Sequence, residues 1–259
     1  MDTDLVARLR AAGCVFAEDE AALLQEAATG DVAQLRRLAD RRVGGEPLET
    51  VVGWVAFAGR RFEVVPGVFV PRARTVVLVD AVLELVDDGD VVVDLCCGVG
   101  AIGGAVVAAR PGVVLHAADV DPVAVACAAR NLAAFGAHAW TGDLFEALPA
   151  PLRGAVDVVV ANAPYVPTAA IALMPPEARD HEPHVTLDGG ADGLAVARRV
   201  LADAAAWLRP GGHLLIETGF ILADALAAAF TDAGFLDVSV LHDEDHDGTA
   251  VAGRTRISA

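Results

Sequence analysis

From residue 90 onward, short apolar runs alternate with helical segments, and this alternation restricts the fold more than any other feature of the chain. Five runs bounded by Gly, Pro or Asp are predicted strands, at residues 91–95, 113–118, 137–140, 156–161 and 212–217. Helices are predicted at residues 101–109, 122–134, 191–208 and 221–232. Strands that are apolar throughout are typical of parallel strands buried on both faces. The pattern therefore predicts a doubly wound α/β fold with a mostly parallel, Rossmann-like sheet.

Two further strands bring the predicted sheet to seven. They cover residues 234–241 and 249–257, and Asp247-Gly248 is predicted to form the turn between them. Within the same domain, residues 163–190 form a long loop with five prolines and little periodicity. Long loops are often functional, and this one follows the fourth strand, at the edge where open α/β sheets bind ligands. We predict that it is a lid over a ligand site.

The first 73 residues are organised differently. Apolar spacing predicts two helices in residues 1–45, one from Glu18 to Ala28 and one from a cap at Asp31 to Arg42. Residues 46–73 are predicted to form a linker with a β-hairpin, because apolar residues alternate there around a glycine turn. Residues 74–259 then form the main domain, which begins with a helix at 74–87.

Composition excludes several classes of protein. Hydrophobic residues make up 55% of the 259 residues, which is too many for a disordered chain. The net charge of −17 is uneven, since residues 1–75 carry 11 acids and 10 Arg and the rest carries 25 acids and 9 Arg. An acidic surface repels phosphate backbones, so nucleic acid is not expected as the main partner.

The chain is also not expected at or across a membrane, because no run approaches the roughly 18 apolar residues that a span needs. Met1 to Asp4 show no secretory signal, and the four cysteines have neither C-x-x-C spacing nor a disulfide framework. These features predict a cytoplasmic protein. No metal site is predicted, because the His- and Asp-rich segment 242–247 precedes a turn and has no partner elsewhere.

The first predicted strand leads into a glycine turn, Gly98-x-Gly100-x-x-Gly103. Glycines let the backbone approach a ligand, and the following helix presents free N–H groups. The turn alone also fits an NAD domain. Asp94 favours another ligand, because a carboxylate at this point would repel a pyrophosphate but suits the ammonium group of an amino-acid-bearing ligand.

Acidic residues follow the next two strands. Asp119 lies 21 residues after Gly98, a spacing that fits hydrogen bonds to ribose hydroxyls in a dinucleotide or in S-adenosylmethionine. Asp121 is predicted to cap the next helix. After the third strand, Asp143 could accept from an adenine amino group, and Leu144 could pack on the ring.

The fourth strand ends in Asn162-Ala163-Pro164-Tyr165. The Asn side-chain oxygen and the following backbone carbonyl can accept both hydrogens of one planar –NH₂ group. Pro164 restricts the backbone of Ala163 and so helps to fix that carbonyl. Such a clamp orients the nitrogen lone pair toward an electrophilic methyl group. We predict an amide or exocyclic amine as the methyl acceptor.

With these motifs, the chain resembles the HemK-type protein-(glutamine-N5) methyltransferases, which methylate the Gln of the Gly-Gly-Gln loop in peptide chain release factors. The similarity runs from about Gly45 to Gly219 and is most specific in segments 64–72, 182–183 and 188–194. It implies an S-adenosyl-L-methionine-dependent enzyme of the class I fold that yields S-adenosyl-L-homocysteine. It also implies that residues 1–45 dock the protein substrate.

The resemblance implies residue roles as well. The cofactor would contact the turn and the acidic strand ends, at Asp94, Cys96, Cys97, Gly98, Val99, Gly100, Asp119, Val120, Asp143, Leu144 and Asn162. The acceptor amide would be held by Asn162 and the carbonyl of Ala163, with Pro164 and Tyr165 shaping its pocket.

The chain departs from the family pattern at several positions. Ala163 stands where the family usually has proline, Val76 where it has Glu, and Cys96-Cys97 where it has Gly or Thr. Three alternatives therefore stay open: a nucleic-acid amino methyltransferase, a small-molecule amine methyltransferase and a non-catalytic S-adenosylmethionine-binding module. An NAD-dependent oxidoreductase is a further alternative, although it has no use for the clamp.

Overall fold

The computed structural model describes residues 3–257, so residues 1, 2, 258 and 259, the outer ends of the first and last predicted segments, lie outside the described part. Its α-helices are α1 (Thr3–Ala11), α2 (Ala17–Ala28), α3 (Val32–Val43), α4 (Leu48–Val52), α5 (Val76–Leu83), α6 (Ala101–Ala109), α7 (Pro122–Leu132), α8 (Pro176–His181), α9 (Ala195–Trp207) and α10 (Ala223–Asp232). Its strands are β1 (Trp54–Phe57), β2 (Arg60–Glu63), β3 (Val91–Leu95), β4 (Val114–Asp119), β5 (His138–Thr141), β6 (Val156–Ala161), β7 (Leu208–Glu217), β8 (Leu236–Asp243) and β9 (Gly248–Arg254).

Seven strands form one sheet in the order β5-β4-β3-β6-β7-β9-β8. The five strands from β5 to β7 are parallel, and β9 pairs antiparallel with both β7 and β8. The predicted doubly wound, mostly parallel sheet is therefore confirmed. The strand order reverses between β3 and β6, and open α/β sheets bind ligands at such a switch point.

Helices cover both faces of this sheet because successive residues of a buried strand point to opposite sides. On β3, Val92 packs with residues of α5, α6 and α7, whereas Val93 packs with residues of α9 and α10. The β1–β2 hairpin joins the first of these cores. Gly104 in α6 permits this, since a Cβ there would lie 2.5 Å from the ring of Phe62.

The N-terminal helices α1 to α4 surround a core of their own, built on the fully buried Leu9 and Leu24. The two predicted helices are confirmed, and Asp31 caps α3 by accepting from the backbone N–H groups of Ala33 and Gln34. Helices α1 and α4 were not predicted. None of the described helices has both the length and the apolar character that a membrane crossing requires.

Three local predictions are wrong. Asp247-Gly248 is not a two-residue turn. Residues 244–247 form the turn, and Gly248 is the first residue of β9, where it pairs with Asp243 of β8. Residues 163–190 are not one long loop, because they contain α8 and short 3₁₀ turns. Strand β7 begins at Leu208 rather than at 212, because an irregularity in its pairing with β6 accommodates the Pro-Gly-Gly segment.

Candidate active site

A cavity of about 480 Å³ opens at the carboxyl ends of β3, β4 and β6, beside the switch point, and the lid lines its other side. Two of the predicted site residues, Asp94 and Gly100, are not among its lining residues. The others all line it: Cys96, Cys97, Gly98, Val99, Asp119, Val120, Asp143, Leu144, Asn162, Ala163, Pro164 and Tyr165. The structure thus brings most of the predicted site residues around one space.

The glycines of the turn have different roles. Gly98 has a φ of +54° and open space where a Cβ would stand, so its backbone can be approached closely. Gly100 and Gly103 instead permit packing. A Cβ at Gly103 would lie 2.7 Å from the side chain of Leu115. Only the first glycine therefore leaves room for a ligand.

Asp94 lies behind the turn rather than on the cavity wall. Its carboxyl is fully buried, and one oxygen accepts from the backbone N–H of Gly103 at 2.9 Å. The other oxygen has no hydrogen-bond partner. Burial raises the pKa of Asp94 to about 7. In this structure the side chain stabilises the first turn of α6 through this hydrogen bond.

Asp119 connects the cavity to the turn. Its Oδ2 accepts from the backbone N–H of Gly98 and its Oδ1 accepts from that of Asp121, both at 2.9 Å. Burial raises the pKa of this carboxyl, and the two backbone bonds oppose that shift. Each oxygen keeps a second lone pair, so the group can accept from a diol. Asp121 caps α7 through the N–H of Val123, as predicted.

The predicted adenine contacts lie at the end of β5. Leu144 is nearly buried, with a φ of +49°, and it lines the cavity. Asp143 also lines the cavity, but its Oδ2 pairs with Nη2 of Arg199 at 2.6 Å. Sequence reasoning missed Arg199, which comes from α9 and carries no motif. An adenine amino group would share Asp143 with this guanidinium.

The clamp residues follow β6. Asn162 donates from Nδ2 to Oγ1 of Thr75 at 3.4 Å, so its amide nitrogen faces Thr75. Ala163 is buried, and Tyr165 contributes to the cavity wall. The next residue, Val166, is bonded to the other end of the lid: its N–H donates to the carbonyl of Leu187, and its carbonyl accepts from Gly189 N–H. These bonds restrain the clamp segment, in which Ala163 stands where the family usually has its first proline.

A buried carboxyl lies beside the clamp. Tyr165 donates from its hydroxyl to Oε1 of Glu217 at 3.2 Å, and Nε of Arg74 lies 3.6 Å from the same oxygen. Burial raises the pKa of Glu217, while Thr75 and Arg74 lower it. Burial and Glu217 together raise the pKa of Tyr165. Sequence reasoning gave no role to these neighbours, although the place of Glu217 at the end of β7 was a usable signal.

The lid is held by two arginines from the first 73 residues. Arg72 pairs with Glu182, whose side chain is almost fully buried. Arg42 on α3 pairs with Glu177 on α8 at 2.6 Å between Nη1 and Oε1. Both glutamates line the cavity, so the lid and the N-terminal segments are joined at its wall. Across residues 3–257, no group of three or more His, Cys, Asp or Glu side chains is arranged to hold a metal ion.

Comparison with known proteins agrees with this geometry. The family profile described as the methyltransferase small domain matches residues 61–174. A solved methyltransferase structure from Pyrococcus furiosus has a TM-score of 0.56 and 16% identity, over 76% of this chain and 89% of that one. The matched profile and the shared fold are those of Rossmann-like methyltransferases.

Two curated relatives narrow this class. The release factor glutamine methyltransferase of Geobacter sulfurreducens is 35% identical over 226 residues, which are 86% of this chain and 78% of that protein. The 4-amino-L-phenylalanine/4-methylamino-L-phenylalanine methyltransferase of Streptomyces pristinaespiralis is 33% identical over 85% of this chain and 77% of its own length. The chain belongs to the release factor glutamine methyltransferase family, which confirms the resemblance found in the sequence.

Proposed function

We propose that the protein transfers a methyl group from S-adenosyl-L-methionine to a protein glutamine side-chain amide, and that this glutamine lies in the Gly-Gly-Gln loop of a peptide chain release factor. The observation that carries the proposal is the orientation of Asn162, whose amide nitrogen is engaged by Thr75. Its oxygen is therefore available, next to the carbonyl of Ala163, for the two hydrogens of an acceptor –NH₂ group.

The cavity fits the cofactor on three counts. Its volume of about 480 Å³ is in the range of small-molecule sites. Asp119 has lone pairs free for a ribose diol, and Gly98 has open space for a close approach. We propose that Cys96 to Gly100 hold the methionine part, Asp119 and Val120 the ribose, and Asp143 and Leu144 the adenine.

Asp94 and Gly100 enter this proposal indirectly, because neither lines the cavity. Asp94 would support the turn through its bond to Gly103 N–H, and Gly100 would allow α6 to pack against α7. Asn162 follows β6, and the neighbouring strand β3 leads into the turn proposed to hold the cofactor. Asn162 would therefore contact the cofactor as well as the acceptor.

When bound, S-adenosyl-L-methionine supplies an electrophilic methyl group. The chain's own residues position the acceptor. Asn162 Oδ1 and the Ala163 carbonyl accept both amide hydrogens, which favours a pyramidal nitrogen with its lone pair directed at the methyl donor. Pro164 and Tyr165 would shape the pocket for the side chain. No general base is required before transfer. The methylated nitrogen then releases one proton to solvent, and the products are N5-methylglutamine, S-adenosyl-L-homocysteine and this proton.

The N-terminal helices are proposed to dock the protein substrate. Residues 1–75 are close to electrically neutral, whereas the rest of the chain carries most of the negative charge. An acidic partner would therefore approach the first segment more easily than the body. We propose a cytoplasmic location, which the four free cysteines support.

A small-molecule amine is the second candidate acceptor. The Streptomyces pristinaespiralis relative is named as a methyltransferase of 4-amino-L-phenylalanine and 4-methylamino-L-phenylalanine. Ala163 makes the clamp of this chain less rigid than Asn-Pro-Pro-Tyr, which would suit an acceptor other than glutamine. Nucleic acid is a weaker candidate, because the body of the chain is strongly acidic.

The test is methylation of purified release factors from the same organism, followed by peptide mass spectrometry. One added methyl group on the Gly-Gly-Gln glutamine supports the proposal, and Asn162→Ala should abolish this transfer while it leaves cofactor binding largely intact. Transfer to 4-amino-L-phenylalanine alone would establish the second candidate. Transfer to RNA or DNA would establish an amino methyltransferase of nucleic acid. Bound cofactor without turnover on any acceptor would identify a non-catalytic module.

A further inference from the structure

The amide of Asn162 has two chemically opposite ends, and only one orientation suits the clamp. An oxygen directed at the acceptor –NH₂ group accepts its hydrogens, whereas an –NH₂ group in that position would oppose two donors. Something other than the acceptor must fix this orientation before binding, because the two ends are nearly equal in size. The contact of Asn162 Nδ2 with Thr75 Oγ1 does so.

We propose that Thr75 is a positioning residue that sets the orientation of the Asn162 carboxamide in the acceptor clamp. This inference rests on the proposed function, because it assumes that Asn162 receives an –NH₂ group. Thr75 lies 87 residues before Asn162, in the 3₁₀ turn Ala73–Thr75, where its N–H donates to the carbonyl of Arg72. Its side chain is buried, with only 2% of the residue exposed.

The hydroxyl of Thr75 is the acceptor in this contact. Its Oγ1 lies 3.4 Å from Asn162 Nδ2, so Asn162 presents its nitrogen to Thr75 and its oxygen to the cavity. Thr75 also lowers the pKa of the buried Glu217, as a hydroxyl that donates to a carboxyl does. A hydroxyl with its hydrogen directed at a carboxyl presents lone pairs to its other neighbours, which favours the nitrogen of Asn162 at Thr75.

The position of Glu217 is itself fixed. Its Oε1 accepts from the hydroxyl of Tyr165, and Arg74 lies beside it. Tyr165 belongs to the clamp, so Glu217 contacts one clamp residue and Thr75 contacts another. The second oxygen of Glu217 has no hydrogen-bond partner among the described residues.

The kinetic test compares Thr75→Val with Thr75→Ser. We expect Thr75→Val to lower kcat on the release factor by about 10- to 100-fold, as removal of a bond that orients a ligating side chain does elsewhere. The affinity for S-adenosyl-L-homocysteine should not change. Thr75→Ser keeps the hydroxyl and should restore most of the rate.

Thr218→Val is the matched control. Thr218 is a buried threonine next to Glu217, but its hydroxyl has no hydrogen-bond partner. Loss of that hydroxyl should leave kcat unchanged. Equal rates for wild type, Thr75→Val and Thr75→Ser would overturn the inference, whereas an inactive wild type would count against the proposed acceptor instead.

A second measurement needs no acceptor. The chain has only two asparagines, Asn131 and Asn162, so ¹⁵N labelling of asparagine side-chain amides gives two –NH₂ signals. Asn131 is the internal reference, since its Nδ2 donates to the carbonyls of Glu63 and Val99. Thr75→Val should shift the Asn162 signal and speed its hydrogen exchange, and Thr75→Ser should not. An unchanged Asn162 signal in Thr75→Val would overturn the inference.

Discussion

Arg42 and Glu177 are 135 residues apart in the chain, yet their side chains meet at 2.6 Å. Arg42 belongs to α3 of the N-terminal helices, and Glu177 belongs to α8 of the lid. The same guanidinium binds Glu20 on α2 through Nε at 2.6 Å, and only 9% of its side chain is exposed. A single buried cation therefore joins two N-terminal helices to the lid that lines the cavity.

Replacement of this cation should be costly. Arg42→Met leaves the nearly buried Glu20 without its partner, and loss of one member of a buried pair costs about 3–5 kcal/mol. Urea denaturation should show this loss in the free energy of unfolding. The double variant Arg42→Met/Glu20→Leu should recover much of it, because no buried charge is left uncompensated and Glu177, which also loses its partner, is half-exposed. The exposed pair Arg8–Asp40 is the control, and Arg8→Met should cost no more than about 1 kcal/mol. Equal costs for both single variants would contradict this account.

Cofactor binding should depend on Asp119. Asp119→Ala removes the acceptors for Gly98 N–H and Asp121 N–H as well as those proposed for a ribose diol. We expect the affinity for S-adenosyl-L-homocysteine to fall by about 10- to 100-fold, as one or two lost hydrogen bonds imply. Isothermal titration calorimetry measures this change. Asp119→Asn keeps one acceptor and should have an intermediate effect; unchanged affinity in both variants would remove Asp119 from the proposed site.

Stability should depend on pH through Asp94. Burial raises the pKa of Asp94 from 3.8 to about 7, so the folded protein retains a proton that the unfolded chain releases between these values. The contribution of Asp94 therefore favours folding at low pH. This contribution to the free energy of unfolding falls as pH rises through this window, by up to about 1.4 kcal/mol per pH unit. Above the window it does not change further.

The Asn side chain of Asp94→Asn has no proton to release, so this variant should abolish the slope. Its stability relative to wild type should rise between about pH 4 and pH 7 and then level off, as measured by urea denaturation across that range. The exposed Asp203 supplies a control variant, Asp203→Asn, that should follow the wild-type curve. Parallel curves for Asp94→Asn and wild type would show that Asp94 titrates as an ordinary carboxyl.

Gly193 should matter for the clamp rather than for the fold alone. A Cβ at this position would lie 2.5 Å from the carbonyl oxygen of Tyr165, so Gly193→Ala must displace the clamp segment. A displacement of about 1 Å can cost roughly 100-fold in rate. Gly154 has nearly the same φ, +77° against +79°, but open space around it. Gly154→Ala should therefore share only the loss of stability, and equal kcat losses in the two variants would argue against crowding at Tyr165.

Much of the scaffold could be predicted because burial on both faces leaves a strong signal. Strands β3 and β6 begin and end where the apolar runs do, and the segments after them carry the glycine turn and the clamp. By contrast, α1 buries only a few apolar residues against its neighbours, including Leu5 and Leu9, which is too short a pattern to predict a helix. Local periodicity thus gives the sheet but not the short helix α1 of the N-terminal core.

The partners of the site residues could not be predicted from local pattern. Thr75 reaches Asn162 only because a 3₁₀ turn places it there, and Arg199 reaches Asp143 from α9, 56 residues further along the chain. Asp94 shows the opposite case. Its place before the glycine turn suggested a ligand contact, but the close packing of the turn directs its carboxyl to Gly103 N–H. Long-range packing decides such contacts.

Strand β9 lies between β7 and β8 although it follows both along the chain. As the protein is synthesised, β7 therefore has no antiparallel neighbour until residues 248–254 emerge, when Ala250 pairs with Glu217. The cofactor side of the cavity, on β3 and β4, is complete in sequence long before this point. The order of synthesis thus makes the strand that pairs with the end of β7, where Glu217 lies beside the clamp, the last part of the sheet near the active site to emerge.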